Sequence, residues 1–212
     1  MAVITSSGVI NTGYALLALV ADAAVVVAAV AFIVTRTSES GREWWGGVRD
    51  AISPFALQIA WIVAVLATFG SLFLQFFEGL QPCEFCWFQR ICMYPLSLLL
   101  GIAAFRGDLQ VAKRYFIGLS IVGLGIAIYH YQLELFPNQP LVCGAAGPPC
   151  NIAVINIFGF ISVPFLSMAA FALISTLLLL ARGGADLEYE GVDVIEGTVE
   201  IDSDDDALPS PA

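Results

Sequence analysis

Neither the connections 78–86 and 132–152 nor the last 30 residues, 183–212, of this 212-residue chain contain a lysine or arginine. Charge is scarce throughout, at 12% of residues, where a soluble domain carries about 25%. Together with a mean hydropathy of +0.87, that scarcity excludes an ordinary soluble domain. The long, nearly charge-free runs approach the roughly 20 apolar residues that cross a bilayer, so a polytopic membrane protein is expected. The net charge of −10 is unevenly spread: all eight basic residues and eight acidic ones lie in 1–182, and ten acids occupy 183–212. Without a base, that tail cannot neutralise phosphates, which excludes a nucleic-acid or anionic-lipid partner for it. No internal repeat is apparent.

Five apolar segments can be drawn, at about 12–34, 54–77, 87–105, 115–131 and 160–181. Inside a bilayer such runs must satisfy their own backbone hydrogen bonds, and they do so as helices. No basic region precedes the first segment, so it reads as a retained helix and not a cleaved signal. The third is short and interrupted by Arg90 and Pro95.

Basic residues favour the cytoplasmic side. Arg36, Arg42 and Arg49 fall in the first connection, Arg106, Lys113 and Arg114 in the third, and Arg182 after the last segment. Five alternating helices put all seven on one side. The N-terminus and the base-free loops 78–86 and 132–152 then face outward. Residues 183–212 read as a disordered, solvating cytoplasmic extension, with too few large apolar residues for a core.

Four of the five cysteines lie in those outward loops: Cys83 and Cys86 in "QPCEFCWFQR", Cys143 and Cys150 in "VCGAAGPPC". Cys92 lies within an apolar segment and reads as a buried, inert thiol. Outside the cytosol disulfides persist, which favours redox-linked pairs over a zinc site, although four thiols can form a tetrahedral cage. Structural staples are the other alternative, but a CxxC loop is too tight to gain much from entropic stapling. Its usual advantage is a lowered thiol pKa.

Arg90 favours the redox reading. If a helix begins near Cys86, then Cys86 and Arg90 are an i, i+4 pair on one face, with the thiol at a helix N-terminus that favours the thiolate. A charge at the hydrocarbon edge costs a few kcal/mol unless it is partnered or snorkels. Snorkelling is the bland alternative. The functional one is that Arg90 stabilises the Cys86 thiolate and an anionic, membrane-soluble electron acceptor.

The segment "PCEFCWFQRICMYPL" resembles the signature of the DsbB/BdbC family of membrane disulfide-generating proteins. "YHYQLEL", the pair Cys143 and Cys150, and "ISVPFLSMAAF" follow in the family's order, and the resemblance spans about 54–181. It implies an all-α membrane protein: a four-helix transmembrane bundle of DsbB type, here with one extra N-terminal transmembrane helix. It also implies a thiol:quinone oxidoreductase in the cell membrane. Electrons would pass from a thioredoxin-like extracytoplasmic oxidase (DsbA/BdbD-like) to a membrane quinone of ubiquinone or menaquinone type. By position, Cys83 and Cys86 match the quinone-proximal pair, and Arg90 matches the arginine beside the quinone. Cys143 and Cys150 match the pair that exchanges with the soluble partner, Cys143 first. His130, the only histidine, matches a position near the quinone, with an interfacial imidazole as the alternative.

The chain thus divides into 1–53 (extra helix and basic connection), 54–182 (bundle) and 183–212 (acidic tail). Residues 1–53 have no counterpart in the four-helix plan; Asp22 there is expected to serve packing or a buried hydrogen bond. The vitamin K epoxide reductase family also joins thiols to quinones, but its quinone-side CxxC follows the shuttle pair, whereas here it precedes it. A stapled or metal-binding scaffold is the non-enzymatic rival.

Energetics point to an external acceptor. Structural disulfides lie below roughly −300 mV and a strong periplasmic oxidant near about −120 mV, a climb of about 180 mV, on the order of 8 kcal/mol. The outward disulfides must be unusually oxidising, or drained by a stronger sink such as a quinone.

Overall fold

The computed structural model describes residues 6–37, 39–139, 143, 148–153, 156 and 158–181. The acidic tail, and with it the expectation of disorder there, lies outside the described residues. So do Gly144 to Gly147, between the second pair of cysteines. Side chains are described from Thr12 onward in the first helix, with gaps, and not for 32–44.

The described chain is all-helical: α1 (Ser6–Thr37), α2 (Glu39–Phe76), α3 (Glu84–Arg106), α4 (Leu109–Leu135) and α5 (Val163–Leu180). Among the described residues, four apolar stretches are long enough to cross a membrane: Trp45–Phe76, Glu84–Arg106, Leu109–Leu135 and Val163–Leu180. A shorter one, Leu19–Ala31, lies in α1. The molecule is a multi-pass membrane protein. Its outward-facing side chains agree, since Leu98, Phe105 and Ile91 are among many large apolar groups left exposed.

Two boundaries differ from the sequence reading. The helix α2 begins at Glu39, so Arg42 and Arg49 lie in its first turns and not in a loop. Arg49 has a local reason to be there: its Nε donates to the carbonyl of Leu180 at 3.1 Å, meeting an orphan acceptor at the negative end of α5. The helix α3 begins three residues earlier than expected and runs unbroken through Pro95. Membrane helices tolerate an internal proline because neighbours compensate for the missing bond.

Termini are set by local chemistry. Gly107 closes α3 in the left-handed conformation, φ 68°, its N–H donating to Ala103, as glycine does without a Cβ penalty. Asp108 then caps the next helix by accepting from the Val111 N–H. A π-helical turn at Ala112–Phe116 precedes the regular part of α4.

Close packing relies on small residues, because lipid tails supply no hydrophobic drive between helices. Ala56, Ala60 and Ala64 form a fully buried i, i+4, i+8 stripe on α2, within a core that includes Leu96, Leu100, Phe171, Ile174 and Leu178. Between α4 and α5, Ser120 Oγ donates to the Phe171 carbonyl at 3.1 Å and lies 2.9 Å from Ser175 Oγ. Interhelical hydrogen bonds of this kind in membranes are worth about 1 kcal/mol. Beside them Gly123 sits under the Phe171 ring, where an added Cβ would collide with the aromatic carbons.

Gly123→Ala is therefore expected to destabilise the bundle by about 1–3 kcal/mol through overpacking, lowering its thermal midpoint in detergent. Gly125→Ala, two residues on and facing open space, should leave the midpoint unchanged or raise it, since alanine is the better helix former. Equal midpoints for the two variants would mean that α4 and α5 do not meet at this glycine.

Candidate functional site

The site begins at the N-terminus of α3. Cys83 is its N-cap, in extended conformation, and its Sγ accepts the Cys86 N–H at 3.3 Å. The helix thus starts around Cys83, one turn before the point the sequence suggested, and the dipole of α3 favours negative charge first at Cys83. Cys86 follows on the first turn with its sulfur 2.8 Å from that of Cys83. The two thiols of the reduced pair are hydrogen-bonded.

His130, from α4, completes this end. Its Nε2 lies 3.5 Å from Cys83 Sγ and its Nδ1 is 3.1 Å from Gln89 Nε2. With the Gln89 amide donating to Nδ1, the ring proton sits on Nε2 and faces the Cys83 sulfur. Both His130 and Gln89 are buried, so this is not a free interfacial imidazole. The Cys83 thiol is held well below the ordinary thiol range. The bond from Cys86 is the main cause; burial opposes it, and His130 and the Cys86 backbone N–H reinforce it. A stabilised thiolate favours the reduced form, which makes a disulfide more oxidising.

Arg90 is only 8% exposed, so it does not snorkel. Its Nε donates to Ser71 Oγ at 2.8 Å, its Nη2 to the Ser71 carbonyl at 3.1 Å, and its Nη1 to Gln75 Oε1. Its guanidinium carbon also stands 5.3 Å from the centre of the Trp87 ring, a cation–π contact. The charge is thus fixed between α2 and α3, four residues beyond Cys86.

The second pair is joined: Cys143 and Cys150 form a disulfide. Cys150 is 1% exposed and packs with Cys83 and Leu133, with Phe85, Cys86 and Cys143 around them. The two cysteine pairs share one small cluster, although nearly 60 residues separate Cys83 from Cys143. Cys83, Cys86 and His130 also place three donor atoms within 4.8 Å of one another, a set that could hold a thiophilic cation.

A cavity of about 520 Å³ opens beside the thiols. Cys83, Cys86, Gln89, Arg90, His130 and Glu134 line it beside the thiols; Ser71, Gln81, Tyr94 and Ser167 add further polar groups, and most of the remaining lining is apolar. Cys92 lies elsewhere, buried in the main helical core. Asp22 Oδ2 is buried with no hydrogen-bond partner among the described residues.

Four residues here were not singled out from the sequence. Gln89 and Glu134 carried a usable signal, being polar residues inside "CWFQRIC" and "YHYQLEL". Ser71 and Gln75 carried none, because a serine and a glutamine near a helix end are unremarkable until an arginine is found opposite.

Apolar helices that gather two cysteine pairs, a histidine and a buried arginine at one end define a membrane thiol–disulfide protein. Comparison with known proteins narrows this further. The family described as "Disulfide bond formation protein DsbB" matches residues 53–181, and the chain belongs to that family. It is 44% identical over 131 residues to "Disulfide bond formation protein C" of Bacillus subtilis (strain 168), covering 60% of this chain and 92% of that protein. It is 41% identical over 136 residues to a "Probable disulfide formation protein" of Coxiella burnetii (strain Dugway 5J108-111), covering 63% and 92%. A protein of the same description from Chlamydia trachomatis serovar D is 39% identical over 128 residues, covering 60% and 92%. No solved structure is a match.

In the fully reduced protein, the thiolate absorbance of the Cys83–Cys86 pair should titrate with a midpoint well below the ordinary thiol value of about 8.5. The thiolate should be present above that midpoint and lost as pH falls through it. His130→Phe should move the midpoint upward, because one stabilising donor is gone. A midpoint at the ordinary value in both proteins would show that Cys83 lacks these partners.

Proposed function

We propose that this chain is a membrane thiol:quinone oxidoreductase that re-oxidises an extracytoplasmic, thioredoxin-like disulfide-forming partner. One observation carries the reading: two cysteine pairs share a cluster, and the inner pair borders an apolar cavity with a fixed positive charge in its wall. A stapled scaffold needs neither the cavity nor the charge. Family membership and the order of the two pairs favour this reading over a vitamin K epoxide reductase-like one. The distribution of bases supports an orientation in the cell membrane with the N-terminus and both cysteine loops outside and the acidic tail in the cytoplasm.

The residues fit a quinone. A cavity of about 520 Å³ is within the range for small-molecule sites. Its polar groups are few and mostly gathered at one end, as an apolar molecule with a polar ring requires. A bound quinone supplies an acceptor for two electrons and two protons.

The thiol steps balance as exchanges. A partner thiolate attacks Cys143, the half-buried member of the outer disulfide, and expels Cys150 as a thiolate. The partner's second thiolate attacks its own half of the mixed disulfide, leaves oxidised and releases Cys143. The resulting Cys143–Cys150 dithiol reduces the Cys83–Cys86 disulfide beside it, and the outer disulfide re-forms. The Cys83–Cys86 dithiol then gives up two electrons and two protons to the acceptor and closes again. Proton transfer along the hydrogen bond between the two sulfurs lets negative charge pass from Cys83 to Cys86 within the site. We assign the electron hand-off to Cys86, one turn from Arg90, with Cys83 closing the bond. Arg90 stabilises negative charge on that sulfur and on the reduced acceptor.

The direct test is quinone reduction by the purified protein with a dithiol donor. Arg90→Met should lower turnover at sub-saturating quinone by tenfold to a hundredfold, about 1–3 kcal/mol for a charge-assisted contact. Thiol exchange with the partner should change far less. An unaltered rate and apparent affinity would remove Arg90 from acceptor binding.

A partner lacking its resolving cysteine should accumulate as a covalent complex with this protein. Peptide mapping should find the link at Cys143, because exchange needs in-line access to the attacked sulfur and Cys150 is 1% exposed. A link at Cys150 with Cys143 free would reverse the path through the outer loop.

A further inference from the structure

The helix α1 lies outside the family match, which begins at residue 53. It nevertheless packs against both α2 and α5 and supplies part of the cavity wall through Leu17, Val20, Ala21 and Ala24. The cavity extends well beyond the thiols. At its far end it is lined by Ile52 of α2 and Leu177 of α5, and at its polar end by Ser71 of α2 and Arg90 of α3. Ile52 and Ser71 are 19 positions apart on one helix, or about 28 Å at 1.5 Å per residue. That is close to the roughly 30 Å thickness of a hydrocarbon core. A cavity of about 520 Å³ running over that length can take an extended chain.

We infer that α1 closes this slot as a binding site for the polyprenyl tail of the quinone. The inference rests on the proposed function, since the tail is the part of that acceptor remote from the thiols. Three features select this occupant. The slot is continuous with the redox end, so a chain lying in it is tethered to a ring at Cys86. Apart from Ser71 and Ser167, its lining on α1, α2 and α5 away from the thiols is apolar, and only Tyr94 of α3 adds a hydroxyl there, so the wall offers a prenyl chain mainly apolar contact. An acyl chain of a bilayer lipid would bring a phosphate to the polar end. There Arg90 already has Nε, Nη1 and Nη2 engaged with α2, and among the described residues no other Lys or Arg lines the cavity.

Small residues on α1 keep the slot open. Ala21 and Ala24 present single methyl groups where larger side chains would occupy the space. Filling it should therefore discriminate between acceptors by their tails. Affinity for a long-tailed quinone should fall at least about tenfold, the loss of a few buried methylene contacts, while a tailless benzoquinone should be unaffected.

The experiment uses the full chain in detergent. A quinone with a photoreactive group at the end of its prenyl tail is cross-linked to the unmodified protein, and the labelled peptide is mapped. Label on residues 17–24 is the expected result. Ala24→Trp, and Ala24→Leu as a milder variant should the first fail to fold, are then compared in equilibrium binding of long-tailed and tailless quinones. Loss confined to the long-tailed quinone supports the inference. Label only on α3 or α4, equal loss for both quinones, or no loss for either overturns it while quinone reduction stands. An acyl-labelled phospholipid marking residues 17–24 when the quinone tail does not would show a lipid site and overturn it as well. If the protein binds and reduces neither quinone, the proposed function fails and the tail site fails with it.

Discussion

A guanidinium inside an apolar bundle has to be met by polar atoms, and that requirement organises the thiol-bearing end of this molecule. An ion moved from water into low dielectric costs several kcal/mol even after relaxation. Arg90 is supplied by α3, but every hydrogen-bond acceptor found for it comes from Ser71 and Gln75 of α2. Those bonds hold α2 and α3 in one register near the thiols. They also keep the charge from reaching water, which a flexible arginine near a membrane boundary would otherwise do. The register determines where the wall of the cavity lies relative to Cys86.

The thiol pair is governed by a parallel constraint. A buried sulfur anion needs donors, and Cys83 receives them from two directions: the start of its own helix and His130 on α4. Gln89 orients that imidazole from α3, so the two helices are joined by a continuous chain of bonds from Gln89 through His130 to Cys83. Stabilising the thiolate makes the inner disulfide easier to reduce, the direction needed if electrons are to arrive from an oxidising partner. The outer disulfide contributes by position. Cys150 is packed into the same cluster as Cys83, which keeps the distance for exchange between the pairs short.

Family membership covers α2 to α5 and leaves α1 unexplained. Its packing against α2 and α5 and its share of the cavity wall give it a place in the same site. The cavity then joins a polar end, with thiols, an imidazole and a guanidinium, to an apolar slot bounded by a helix that the family plan does not require. Chemistry at one end and length at the other are separate properties of a single cavity. The first belongs to residues shared with the family region, the second partly to α1.

Much of the architecture was legible in the chain itself. Apolar runs of bilayer length demand helices because hydrocarbon offers no partner for a free backbone group, and charge-poor "QPCEFCWFQR" announced a thiol pair with an arginine one turn beyond. Residue spacing also put Cys143 and Cys150 in one short loop. What the chain could not show was which groups meet across helices. His130 is 47 residues from Cys83 and 41 from Gln89, and Ser71 and Gln75 become acceptors only once α2 packs against α3. The helix start moved from Cys86 to Cys83 because capping depends on where a sulfur points, and the shift placed the favoured negative charge on a different thiol. Pro95 looked like an interruption and proved internal to α3. Periodicity and composition act along the chain, so the sequence determined the helices and the reactive pair. Partners for buried charge, and the cavity between helices, exist only when distant segments are brought together, so the tertiary structure decided those.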